Sequence, residues 1–196
     1  MASFILDKAH EVVRASVKPG DTVIDATVGN GWDTVFLARL VGPDGRVVGF
    51  DIQTAAIDAA RRRLAAEDLL ERCWLFEESH EHPAGSLQAA GAGPPTAIMF
   101  NLGYLPGGDR SITTRAEATI GSLRRMIDLL VEGGVITVVA YKGHRGAAEE
   151  VDELEEWSAA LDKRRFSCEL IQDPTGPPHA PILFVVRKLS SLRAAT

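Results

Sequence analysis

The chain has 196 residues, 45% hydrophobic and 24% charged, with a formal net charge of −6 and a pI near 5.4. That length suits one well-cored domain spanning residues 1–196, and the acidic balance excludes a protein that coats nucleic acid through a broad basic surface, though not a local basic patch. No apolar run approaches the ~20 residues that span a bilayer, and the first ten residues carry Asp7 and lack the basic-then-apolar layout of a signal peptide.

Residues 4–16 place Ile5, Ala9, Val12, Val13 and Ser16 near one helical face, and Pro19-Gly20-Asp21 is a turn. Thr22–Asp25 reads as a strand, Thr27–Gly31 as a loop and Asp33–Leu40 as a helix, with Arg39 facing solvent. After the turn Gly42–Gly45, a second strand covers Arg46–Phe50 and ends at Asp51. Thr54 is placed to cap a helix reaching about Glu67, and Cys73–Phe76 is a third strand. A short helix is expected near Ala84–Ala90, a fourth strand at Thr96–Phe100 and a long helix at Thr114–Val131, capped by Thr113 or Thr114. Val135–Tyr141 is almost continuously apolar, as a strand buried on both faces would be. Ala147–Leu161 is a helix rich in Glu on its exposed side. Phe166–Ile171 and Pro181–Val186 are two last strands with no helix between them, so the final one is expected to run antiparallel. The two cysteines, Cys73 and Cys168, fit no metal or redox spacing and are expected to be buried reduced thiols, consistent with a cytoplasmic protein.

Strand–helix alternation through the first five strands argues for an α/β, Rossmann-like fold: seven strands, mostly parallel with one antiparallel, and helices on both faces. That sheet resembles the one of class I methyltransferases.

Two loops at strand ends carry the candidate chemistry. The first is Asp25-Ala26-Thr27-Val28-Gly29-Asn30-Gly31, with Asp33 and Thr34 in the helix it opens. Its glycines allow close backbone approach to a ligand. Asp51 stands twenty residues beyond Gly31, where an acid can accept from two ribose hydroxyls. The dinucleotide pattern G-x-G-x-x-G is not met, because residue 34 is Thr, and Asp33 would repel a phosphate. An acid at Asp25 suits a cationic ligand with an amino group instead, such as S-adenosylmethionine. The Glu77–His82 segment follows the third strand; its H-x-H spacing lacks an evident third metal ligand, so it reads as a solvated polar loop or a contact to substrate.

The second loop starts at the end of the fourth strand. Asn101-Leu102-Gly103-Tyr104 has the amide–aromatic layout of the tetrapeptide that amino-methyltransferases place there, with Leu102-Gly103 replacing two prolines. The Asn101 side-chain oxygen and a following carbonyl can accept from a substrate amine, and Tyr104 can stack on a base, worth ~1–3 kcal/mol. Arg110 and Arg115, with Ser111, Thr113 and Thr114, can contact phosphate oxygens. Tyr141-Lys142-Gly143-His144-Arg145 leaves the fifth strand on the same side of the sheet, with His144 a possible proton acceptor.

Asp25–Thr34, Asp51-Ile52-Gln53, Ser79-His80-Glu81-His82 and Phe100–Thr114 together resemble the YtqB/MnmM family of class I S-adenosylmethionine-dependent methyltransferases, long labelled rRNA methylases. The resemblance covers about residues 5–188 and is most specific over Asn101–Thr114. It implies methylation of the 5-aminomethyl group of wobble uridine-34 in tRNA, giving 5-methylaminomethyl-2-thiouridine, by a homodimer that reads the anticodon loop. It implies cofactor contacts from Asp25, Thr27, Gly29, Asn30, Gly31, Asp33, Thr34, Asp51, Gln53, Ser79, His80 and Asn101. It further implies catalysis by Asn101 and Tyr104, and substrate contacts from Tyr104, Pro106, Gly107, Asp109, Arg110, Ser111, Thr113, Thr114, Tyr141 and His144, with no metal. Trp32 departs from the histidine often found at its position in the family. Two alternatives stay open on the residues alone: a methyltransferase for ribosomal RNA or a small amine, and a nucleotide- or NAD-binding protein without methyl transfer.

Overall fold

The apolar runs assemble into one seven-stranded sheet in the computed structural model, which describes residues 4–105, 107, 113–142, 147–177 and 180–190. The strands are β1 (Thr22–Asp25), β2 (Arg46–Asp51), β3 (Cys73–Glu77), β4 (Ala97–Asn101), β5 (Val135–Ala140), β6 (Phe166–Gln172) and β7 (Ile182–Lys188). They lie in the order β3-β2-β1-β4-β5-β7-β6. The first five pair in parallel, and β7 runs antiparallel to both neighbours, as the short connection before it requires.

Side-chain alternation along each strand splits the core into two layers. On β4, Ile98 and Phe100 face one side, while Ala97 and Met99 face the other. Helices α1 (Phe4–Ser16), α2 (Trp32–Val41) and α3 (Thr54–Ala65) cover the Met99 side. Helices α4 (Pro83–Ala89), α5 (Ala116–Leu129) and α6 (Ala147–Ala159) cover the Phe100 side. Among the described residues no helix is long and apolar enough to cross a membrane.

The last two strands show why β7 sits inside and β6 at the edge. Ile182–Val186 is continuously apolar and buried, so it needs cover on both faces and from both neighbours. In β6, Ser167–Leu170 are all exposed, which only an edge strand tolerates. This corrects the expectation of two buried thiols: Cys168 is exposed on that edge, and only Cys73 is partly buried. Thr54 does not cap α3; its hydroxyl donates instead to Glu77 at 2.6 Å. Neither Thr113 nor Thr114 caps α5, whose N-terminal flank is Arg115 without a side-chain bond. Glu150 does not face outward: it is buried, and accepts from the Thr119 hydroxyl at 3.0 Å.

The chain leaves β1 toward β2 and β3 on one side, then returns to place β4 on the other. Adjacent strands whose connections leave in opposite directions open a crevice at their C-terminal ends. Here the crevice lies between β1 and β4, whose last residues are Asp25 and Asn101, with Asp51 ending the neighbouring β2.

Gly31 joins β1's loop to α2 with φ +79°, and a Cβ built there would stand 2.7 Å from the Ala60 Cα of α3. Only glycine meets both demands. Gly31→Ala is expected to cost about 2–4 kcal/mol, from left-handed backbone and overpacking together, read as a lowered urea midpoint with unchanged slope.

Candidate functional site

The loop after β1 is built on a buried acid. Asp25 is 1% exposed and lies beneath the loop rather than in the crevice. One carboxylate oxygen accepts the Thr27 N–H at 3.2 Å and the other the Thr34 hydroxyl at 2.6 Å. Burial, with Asp33 nearby, pushes the Asp25 carboxyl up to about 7, against the pull of the Thr34 and Thr27 donors. The expectation that Asp25 offers its charge directly to a cationic ligand is therefore corrected: its acceptors are turned onto the loop itself.

From there two links reach the neighbouring strand ends. The Thr27 hydroxyl accepts the Asn101 backbone N–H at 2.7 Å, tying β1's loop to the tip of β4. The Gly29 N–H donates to Asp51 at 2.8 Å, tying the same loop to β2. Asp51 also accepts the Gln53 N–H at 2.9 Å. Partial burial raises the Asp51 carboxyl, while the N–H groups of Gln53, Gly29 and Ile52 lower it. An ionised carboxylate has about four acceptor positions, so Asp51 keeps capacity for hydroxyls arriving from the crevice.

At β4's tip the Asn101 side chain has a fixed orientation. Its Nδ2 donates to the Asp33 carboxylate at 3.2 Å. A carboxylate only accepts, so the amide must present its nitrogen to Asp33, and its Oδ1 remains for the crevice. The next turn is clamped by α5's flank. The Gly103 N–H donates to the Thr114 hydroxyl at 2.9 Å, while the Gly103 carbonyl accepts the Thr114 N–H and the Thr113 hydroxyl. The Thr114 hydroxyl in turn donates to buried Glu150 at 3.2 Å. Gly103 has φ +130°, a value closed to proline, whose ring fixes φ near −65°. The backbone here cannot be that of a tetrapeptide with proline in this place. Tyr104 follows, 40% exposed at the crevice mouth.

The segment after β3 differs from a solvated loop. His80 packs its ring edge-on to Phe100 at 5.4 Å, and its carbonyl accepts the Ser122 hydroxyl. Burial pulls the imidazole down to about 4, so it is neutral near pH 7. Its Nδ1 is buried without a hydrogen-bond partner among the described residues.

These elements enclose a cleft of about 1370 Å³. That exceeds the ~300–1,000 Å³ of a typical small-molecule site, leaving space for a second ligand. Thr27, Gly29, Asn30, Asp33, Asp51, Gln53, Ser79, His80, Asn101, Tyr104, Thr113, Thr114 and Tyr141 all line it. Asp25, Gly31, Thr34 and Gly107 do not. Pro106, Asp109, Arg110, Ser111 and His144 lie outside the described residues. Sequence reasoning missed several lining residues: Phe4 and Ile5 from α1, Glu117 from α5, and Asp173 and Pro177 from the β6–β7 connection. Nothing in their local pattern marked them. Trp32, singled out in the sequence only as a departure from the family's histidine, is 66% exposed on the rim, with the Arg63 guanidinium 3.4 Å from its ring centre.

Residues 47–187 match the family model described as "Putative rRNA methylase", and residues 2–78 match that of "Protein-L-isoaspartate(D-aspartate) O-methyltransferase (PCMT)". The chain is 36% identical over 188 residues to a "tRNA (mnm(5)s(2)U34)-methyltransferase, chloroplastic" of Arabidopsis thaliana, covering 92% of this chain and 68% of that relative. The crystal structure of a "putative rRNA-methylase" from Clostridium thermocellum superposes with a TM-score of 0.89 at 41% identity, covering 96% of this chain and 100% of the other. A "putative methyltransferase" from Streptococcus mutans in complex with SAH superposes with a TM-score of 0.83 at 27% identity, over 96% and 100% of the two chains.

Asp25 and His80 drive stability in opposite directions over one pH window. With its folded pKa raised to about 7 from 3.8, Asp25 makes the folded state bind the extra proton, so stability falls as pH rises between those values. His80, lowered to about 4 from 6.5, makes stability rise over that range. Asp25→Asn keeps an acceptor for Thr27 and removes one titration. Its unfolding free energy relative to the parent is expected to climb by about 1.4 kcal/mol per pH unit between about pH 4.5 and 6.5, measured by urea titration. A pH-independent difference would show that Asp25 is not buried as described.

Proposed function

This chain belongs to the rRNA methylase family, and we propose that it acts as an S-adenosylmethionine-dependent RNA methyltransferase on the 5-aminomethyl group of wobble uridine-34 in tRNA. The observation that carries this reading is the Asn101 amide at the tip of β4, whose nitrogen is engaged by Asp33 and whose oxygen is left to the cleft. An amine is the group that a fixed acceptor at that point would orient. The named activity of the Arabidopsis relative supplies the substrate.

The residues present fit the cofactor. Asp51 retains acceptor capacity for a ribose diol, and the main chain of Gly29 and Asn30 lies along the cleft wall. The orphaned Nδ1 of neutral His80, beside Ser79, offers a hydrogen bond to a heterocycle edge. Asp33 and Asp51 line the same wall and favour a cation over a phosphate. When bound, S-adenosylmethionine supplies an activated methyl group on its sulfonium.

The remaining work belongs to the chain. An alkyl amine with a pKa of ~10.4 costs on the order of 4 kcal/mol to deprotonate at pH 7. Desolvation in the cleft lowers that cost by disfavouring the ammonium. Asn101 Oδ1 accepts one N–H of the neutral amine, which aims the nitrogen lone pair. Tyr104 at the mouth holds the base by stacking, and Arg115 on the lining takes a backbone phosphate, with Arg110 assigned the same part. The reaction belongs in the compartment that holds the tRNA, here the cytoplasm, with the anticodon loop as the docked element and a homodimer as the working form.

Asn101→Ala is expected to lose methyl transfer to tRNA bearing 5-aminomethyl-uridine by about a hundredfold or more, with S-adenosylmethionine affinity within about threefold of the parent. Nucleoside mass spectrometry and calorimetry read the two quantities. Parental turnover in the variant would remove the assignment. Methylation of ribosomal RNA with none of tRNA would redirect it to the other substrate class.

A further inference from the structure

Asn101 does not stand alone. The Asp33 carboxylate that takes its Nδ2 with one oxygen gives the other to His10 Nε2 of α1 at 2.7 Å. Because a carboxylate cannot donate, His10 must carry its proton on Nε2, and both Asp33 oxygens are then engaged. His10 is fixed in turn: its ring lies on Phe36 of α2 at 3.9 Å with 4° between planes, and the Arg14 guanidinium covers Phe36 at 5.3 Å. His10 does not line the cleft, and its side chain is only 26% exposed.

We propose that His10 is a positioning residue for methyl transfer, acting through Asp33 to hold the Asn101 amide with its oxygen toward the substrate amine. This rests on the reading of Asn101 as the amine-orienting group. The two orientations of an asparagine amide have nearly the same shape but opposite hydrogen-bonding character. A flipped Asn101 would turn N–H groups toward the N–H groups of the amine and leave the lone pair unaimed. Asp33 prevents the flip as long as its own rotation is held, and His10 supplies the second point that holds it. The arrangement couples α1, which sequence alone marks as an ordinary amphipathic helix, to the atom that orients the substrate.

Two variants separate the hydrogen bond from the packing. His10→Phe keeps a ring against Phe36 and removes the donor; His10→Gln keeps a donor and removes the ring. For His10→Phe, kcat is expected to fall about tenfold or more while KM for S-adenosylmethionine and for tRNA stays within about twofold. His10→Gln is expected to recover at least about a third of parental kcat. The Asn101 side-chain amide signal in a 1H–15N spectrum of the protein alone should shift in His10→Phe and hold its place in His10→Gln. Parental kcat in His10→Phe, equal losses in both variants with weakened cofactor binding, or an unmoved Asn101 signal in His10→Phe would each overturn the proposal. If the parent itself fails to methylate aminomethyl-uridine tRNA, the functional reading falls, and the Asn101 signal still decides whether His10 orients the amide.

Discussion

The site depends on a carboxylate that does not line the cleft. Asp25 ends β1 inside the protein, and its two oxygens hold Thr27 and Thr34. Thr27 then holds the Asn101 backbone, and Gly29, two residues on, holds Asp51. Three strand ends are joined through one short loop, so the crevice between β1 and β4 has its walls set before anything enters it. Such preorganisation removes ordering cost from binding. It also has an energetic cost, visible in the Asp25 carboxyl, raised to about 7 by burial and by Asp33.

The electrostatics follow from the same arrangement. Asp25 sits under the loop, while Asp33 and Asp51 line the cleft. A ligand that brings positive charge and hydroxyl donors relieves that concentration of acids, whereas a pyrophosphate adds to it. Asn101, bonded to Asp33, Tyr104 and the Gly103 turn clamped by Thr113 and Thr114 line the same cleft, with Arg115 and Glu117 beside them. The cleft therefore combines acidic side chains with an amide and aromatic rings along one lining. Phe100, next to Asn101 in the chain, meets the ring of neutral His80 edge-on.

Much of this was legible in the chain because strand ends at a switch point announce themselves. Asp25, Asp51 and Asn101 each close an apolar run with a polar residue; β1 and β2 end at Asp25 and Asp51 as expected, and β4 runs one residue past the expected Phe100 to include Asn101. The inner place of β7 agrees with its unbroken apolar run, but nothing in the β6 sequence marked it as an edge. What was not legible depends on contacts between residues far apart in sequence. Asp25 reads as an acid facing a cationic ligand until Thr34 is seen over it. Cys168 reads as buried until β6 is known to be an edge. Glu150 reads as one exposed Glu among several until Thr114 and Thr119 are found against it. His10 and Asp33 are 23 residues apart, and no spacing rule links them. Thr113 and Thr114 stand where helix caps usually stand, but the Gly103 turn claims both hydroxyls.

The claim that this crevice is the cofactor site, with Asp51 as its polar anchor, is tested most directly by calorimetry with S-adenosylmethionine on the parent and on Asp51→Ala. The account predicts one site per chain in the parent, no heat with NAD, and an affinity lowered by about thirtyfold or more in the variant, the loss of two charge-assisted hydrogen bonds being worth a few kcal/mol. Equal affinity in parent and variant, or binding of NAD in place of S-adenosylmethionine, would contradict it.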